Sequence, residues 1–168
     1  MRTRPSSGSR LRRLAAVAVL ALLLLGLSAA AAAATERADY VARLESICKP
    51  GVDATQRAVR GVRSDIRAER LQVAAAKLAS ARRIFDGTVR RISAVPRPAA
   101  DAKQLAKWFH YLGLQESYLA SSAAALHDER IVAYQHSSVR FVHKGNLAND
   151  VVIAFGFNYC EFRFSRFG

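Results

Sequence analysis

Apolar residues recur at steps of three and four along most of the chain, the period of helices that bury one face. The first series is Val41, Leu44, Cys48, Val52, Thr55, Val59, Val62 and Ile66. Pro50-Gly51 falls inside it. A proline there is expected to kink the helix or restart it, because the ring removes a backbone donor and crowds the preceding turn. The second series, Leu71, Ala74, Leu78, Phe85, Val89, Ile92 and Val95, stops at Pro96-Arg97-Pro98. Two prolines in three residues make a firm helix boundary. The third series runs through Leu105, Trp108, Phe109, Leu112, Leu119 and Leu126, with Asp101 placed to cap its start. The junction that follows, His127-Asp128-Glu129, has neither glycine nor proline. The inward stripe of the fourth helix reads Ile131, Tyr134, Ser138, Val142, Gly145, Asn149, Val152 and Gly156. Its small members let a neighbouring helix approach, its Asn needs a partner for its amide, and Gly156 suits either the stripe or a left-handed cap.

Four helices of about 20 to 28 residues joined by short turns fold most simply as an all-α, antiparallel up-down-up-down four-helix bundle. Ahead of them, residues 1–13 are basic and polar, Leu14–Leu27 is rich in leucine and alanine, and Ala29–Ala34 offers small-x-small cleavage sites. That order predicts a signal peptide over residues 1–34 and a single exported domain over residues 35–168. An uncleaved helix anchoring the protein to the membrane is the alternative. No cysteine follows the apolar run to carry a lipid, and Arg12-Arg13 is too short a feature to define a twin-arginine signal.

Composition narrows the picture further. A chain of 168 residues with 51% hydrophobic and 23% charged residues is not disordered, and nine Gly and four Pro are too few for an all-β design. The two cysteines, Cys48 and Cys160, are predicted to pair in an oxidising compartment. Closing so long a loop removes denatured-state entropy worth at most about 4 to 5 kcal/mol, and it requires the two Cα atoms to come within about 7 Å. Antiparallel first and fourth helices put both cysteines near one end of the bundle.

The start Tyr40-x-x-x-Leu44-x-x-Ile47-Cys48 and the end Ala148-Asn149 followed by Ala154-x-Gly156-x-x-x-Cys160 resemble those of a group of small exported helical proteins of high-GC Gram-positive bacteria. The resemblance covers the two outer helices and implies a helical bundle with the Cys pair joined. Pro50-Gly51 departs from the pattern and puts an unbroken first helix in question. The resemblance carries over no catalytic residue.

No recognisable reaction chemistry emerges. Four histidines, His110, His127, His136 and His143, are the nitrogen ligands on offer, and His136 and His143 share a face opposite the inward stripe. No Glu-x-x-His or Cys-x-x-Cys occurs, and Met1 is the single methionine, so di-iron, thiolate-zinc, haem and Met-rich copper sites lack their ligands. His127 beside Asp128 and Glu129 reads as a weak surface metal site or, better, as a helix cap. Ser117, Ser121, Ser122, Ser137 and Ser138 lack any nucleophile-elbow framing, and there is no glycine-rich phosphate loop. The expectation is a protein that is not an enzyme and has no cofactor.

Charge is more telling. The formal net charge is +13, and five arginines of the first 34 residues carry part of it. Between Arg57 and Arg91 ten basic residues face three acids. A continuous helix would put Arg60, Arg63, Arg67 and Arg70 on one flank, and with Arg57, Arg82, Arg83, Arg90 and Arg91 they form a candidate anion-binding strip for an envelope polymer or lipid headgroups. Export disfavours nucleic acid as a partner. The aromatic tail over residues 155–168 either packs over the disulfide or docks onto a protein or membrane surface through Phe162, Arg163, Phe164, Arg166 and Phe167. The functional expectation is a non-catalytic binding or structural module of the cell envelope, with a small-molecule or metal-binding bundle using His110 or His127 as the alternative.

Overall fold

A computed structural model describes the backbone of residues 8–162 and the side chains from Ala34 onward. The predicted leader lies largely outside the described side chains, and Arg163, Phe164, Arg166 and Phe167 lie outside the described residues. The chain divides into Met1–Glu36 and Arg37–Gly168. Among the described residues there is no strand, and no helix is long and apolar enough to cross a membrane. The helices are α1 (Gly8–Val59), α2 (Val62–Arg67), α3 (Leu71–Ser93), α4 (Ala102–His127) and α5 (Ile131–Val152), with 3-10 turns at Ala99–Asp101 and Ile153–Phe155. Residues 37–59 of α1, with α2 beyond them, α3, α4 and α5 are the four rods of an antiparallel bundle. Their order is fixed by pairs whose numbers run in opposite directions: Gly51 against Thr88 and Arg60 against Lys77, Gln72 against His127 and Arg82 against Glu116, Gln104 against Val151 and Ser122 against Ser138.

The expected interruption at Pro50-Gly51 does not occur, since α1 runs through both residues. Pro50 and Ser46 both face solvent, so the Ser46 carbonyl that loses its donor is open to water. On the opposite face Cys48 and Val52 are buried and hold the helix on either side of the proline. Gly51 is needed there for a separate reason. A Cβ at this position would stand 2.8 Å from Thr88 Cγ2, so only glycine lets α1 and α3 approach this closely. The break comes instead at Gly61, which adopts a left-handed conformation with φ of 79°.

The two glycine-free turns share one design. Glu69 and Glu129 both take φ of 58°. In one turn the Arg70 amide donates to the Asp65 carbonyl at 2.8 Å and the Glu69 amide to Ile66 at 3.0 Å. In the other, Arg130 donates to Ala125 at 2.7 Å and Glu129 to Leu126 at 3.1 Å. This is the paired-bond helix ending that usually recruits glycine. Here each glutamate is followed by an arginine that meets a carboxylate of its own turn, Asp65 or Asp128.

After Val152 the chain leaves the helix, turns at Gly156 in a left-handed cap (φ 67°), and runs back along the bundle. Phe157 stacks on Trp108 at 5.5 Å, Cys160 joins Cys48 with a Cα separation of 5.2 Å, and Phe162 meets Phe85 edge-on at 5.1 Å. The Glu45 carboxylate receives the backbone amides of Asn158, Tyr159 and Cys160 at 3.0 to 3.1 Å. Three amides of a segment with no regular structure are thereby satisfied by one charged side chain of α1.

Two outcomes follow for stability. Gly51→Ala is expected to cost about 1 to 3 kcal/mol in urea denaturation, and adding Thr88→Ala should recover most of that loss; an unchanged midpoint for Gly51→Ala would show that the helices have room to spare. Glu45→Ala should lower stability by about 2 kcal/mol and speed reduction of the disulfide by a soluble thiol, whereas an unaltered reduction rate would deny the carboxylate its role in holding the C-terminal segment.

Candidate functional site

The residues singled out in the sequence are dispersed by the fold. His110, His127, His136 and His143 are all exposed, His136 and His143 on the solvent side as expected. Among the described residues no group of three or more His, Cys, Asp or Glu side chains gathers as metal ligands would. Neither aspartate acts as the expected cap. Asp101 makes no side-chain bond to the start of α4, because Arg37 takes its carboxylate through Nε at 2.8 Å and Nη2 at 2.5 Å. Asp128 lies at the end of α4, where His127 Nδ1 at 3.3 Å and then Arg130 at 2.9 Å hold its carboxyl below the usual range.

The arginine strip separates into two groups. Its continuous flank is lost, since the helix breaks at Gly61 and again before Leu71. Arg70 turns to Asp65, Arg82 to Glu116 and Arg90 to Asp86. Arg57, Arg60, Arg63, Arg67, Arg83 and Arg91 are exposed and make no ion pair among the described residues. In the aromatic tail Phe155, Phe157 and Phe162 are buried. Phe162, named as a docking residue, is therefore part of the core, with its carbonyl accepting from Asn149 Nδ2 at 3.2 Å.

Three of the unpaired arginines border a cavity of about 700 Å³ that is partly open to solvent. Its buried wall is made of Leu78, Ala81 and Phe85 from α3, Leu119 and Ser122 from α4, and Phe162. Tyr134, Ser138 and Phe141 of α5 close the other side. The exposed rim carries Arg60, Arg63, Ser64 and Arg67, and no acidic residue is among the described lining residues. The inward stripe of α5 is shifted from the expected one, with Val142 42% exposed and Phe141 turned inward. Ser138 was expected to let a helix approach closely. It does so, lying 3.5 Å from Ser122 of the adjacent α4, and two such small side chains also leave space beside them that larger ones would fill. One turn before Leu119, Gln115 is fully buried with neither amide atom hydrogen-bonded. An unsatisfied buried amide is costly and calls for a polar partner such as an enclosed water or a ligand atom.

The rim is held in place by an ionic cluster around the buried Asp65 carboxylate. Asp65 of α2 accepts from Lys77 of α3 at 2.5 Å and from Arg70 at 2.7 Å, and Lys77 also donates to the Arg60 carbonyl at 3.0 Å. These bonds, that from Lys77 first, favour the charged form and hold the pKa of the Asp65 carboxyl below its ordinary value. The short helix that carries Arg63 and Arg67 is thus tied to α3 by charge rather than by a long packed face.

No family model, curated protein or solved structure matches the chain.

The Asp65 cluster gives a pH dependence with a definite sign. A carboxyl depressed in the fold contributes stability above the unfolded value, about 3.9, and loses that contribution as pH falls through the lower folded value. The protein with Asp65→Asn should be less stable at neutral pH and should show a shallower loss of stability below about pH 4 in acid titrations followed by circular dichroism. Parallel curves for the two proteins would contradict this.

Proposed function

We propose that the protein is an exported, non-catalytic binding module of the cell envelope that holds a small molecule with an apolar portion inside the four-helix bundle. The observation that carries this reading is the 700 Å³ cavity between α1, α3, α4 and α5, walled by Leu78, Phe85, Leu119 and Phe141. Its volume falls in the range of about 300 to 1,000 Å³ typical of small-molecule sites. Sites of that kind combine an apolar wall with few polar groups, as this one does with Thr55, Ser122 and Ser138. The envelope location draws support from the leader pattern, from the resemblance to exported helical proteins and from the disulfide, which persists in oxidising compartments. Binding of a long anionic polymer along the whole arginine strip has less support, because Arg70, Arg82 and Arg90 are engaged by carboxylates.

The test is saturable binding of an uncharged naphthylamine dye by the disulfide-bonded protein. One dye per chain is expected, with fluorescence enhancement and blue shift. Ser122→Leu, which fills space in the cavity wall, should weaken binding by at least about ten-fold while leaving helicity unchanged. Failure of the dye to bind, or equal binding by the filled variant, would overturn the reading.

A further inference from the structure

We infer that the ligand is a single-chain amphiphile with an anionic head: its oxyanion sits at Arg60, Arg63 and Arg67, and its hydrocarbon chain lies among Phe85, Leu119 and Phe141. This rests on the cavity being a binding site and adds the chemistry of what enters it.

Two features of the cavity lead to this class. First, charge is confined to one side of it. The inner wall is aliphatic and aromatic apart from the uncharged Ser122 and Ser138, and the three arginines stand at the solvent-exposed side. A molecule matching both ends carries apolar length and one terminal charge. Second, the charge at the rim is uncompensated. None of Arg60, Arg63 and Arg67 has an ion-pair partner among the described residues. The one carboxylate of α2, Asp65, is buried and engaged by Lys77 and Arg70. Sequence makes the contrast plain, because Arg70 three residues on from Arg67 finds a carboxylate and its neighbours at the rim do not. Guanidinium groups match carboxylate and phosphate oxygens in a bidentate geometry.

The cavity lies between helices, bordered by α1, α2, α3, α4, α5 and Phe162, and Phe162 is fixed by its contact with Phe85 and by Asn149. Its volume of about 700 Å³ suits one alkyl chain. The serines at 122 and 138 are a second, weaker polar point inside.

Displacement of the bound naphthylamine dye by defined compounds, each below its micellar concentration, tests the inference on the whole disulfide-bonded protein. Hexadecyl phosphate and palmitate are expected to displace the dye at least ten-fold more effectively than hexadecanol. Shortening the chain from sixteen to ten carbons should weaken binding by about four-fold per methylene removed from the cavity, and inorganic phosphate alone should displace nothing. Replacing Arg60, Arg63 and Arg67 by Gln should remove the anionic preference, so that hexadecyl phosphate and hexadecanol displace the dye about equally. A preference between the two anions names the source of the head, a phosphate-bearing lipid or a free fatty acid, and either supports the inference.

Equal displacement by hexadecanol and hexadecyl phosphate would overturn the anionic head while leaving the cavity as a binding site. Dye binding without displacement by any sixteen-carbon compound would overturn the amphiphile altogether. Absence of dye binding would remove the site itself and the inference with it. A chain ending at Phe162 should bind with unchanged affinity; markedly tighter binding would assign the cavity to residues 163–168 of the same chain and overturn the inference. The comparison among ligands on the unmodified protein stands even if the triple variant misfolds.

Discussion

The bond between Cys48 and Cys160 is the constraint on which the rest of this bundle depends. Residues 156–162 have no regular backbone pattern to hold them, yet they form part of the core, with Phe157 and Phe162 buried. The covalent link sets this segment against α1, and the Glu45 carboxylate then satisfies the amides on either side of it. A loop closed over most of the domain removes a large share of denatured-state freedom, on the order of 4 kcal/mol in the chain-entropy view, comparable with the net stability of a small domain. Phe162 therefore reaches Phe85 and supplies one wall of the cavity. Covalent chemistry at the chain's end and space at its centre are linked through that ring.

A four-helix bundle of this length ordinarily fills its interior with large side chains. Here Ser122 and Ser138 lie 3.5 Å apart, Ala81 lines the same cavity, and the first rod breaks at Gly61 beside it. Small residues on three helices, beside a rod that is interrupted there, leave a volume that the surrounding leucines and phenylalanines do not occupy. The interruption also turns the arginines of α2 into a rim. With only six residues, α2 has little face to bury, and Asp65 fixes it through Lys77 and Arg70. The cavity and its charge arise from one feature, a helix that ends early and restarts as a short segment.

Much of the architecture was legible in the residues. The period of the apolar series placed α3, α4 and α5 correctly, Pro96-Arg97-Pro98 ended α3, and the two cysteines paired, although Cys160 does so from the segment that turns back after Gly156 and not from the fourth helix. The first rod misled because proline is a strong local signal, and tertiary contacts at Cys48, Gly51 and Val52 outweigh it. The true break at Gly61 needed only an exposed left-handed glycine, which has no periodic signature. Asp101 and Asp128 looked like caps by position alone, and their real partners, Arg37 and Arg130, depend on tertiary approach and turn geometry. The arginines of the rim were recognised as charge. What went unseen was the cavity beside them, because empty space depends on how small residues of separate helices align. Ser138 and Ser122 were the visible trace of it, one as a small residue on an inward stripe and the other among the unframed serines.

A crystal structure of the disulfide-bonded protein grown with hexadecyl phosphate tests the central claim most directly. The account predicts continuous density for one alkyl chain beside Phe85, Leu119 and Phe141, with phosphate oxygens in bidentate contact with the guanidinium groups of Arg60, Arg63 or Arg67. An interior closed by its own side chains, with no density between Ser122 and Phe162, would contradict it.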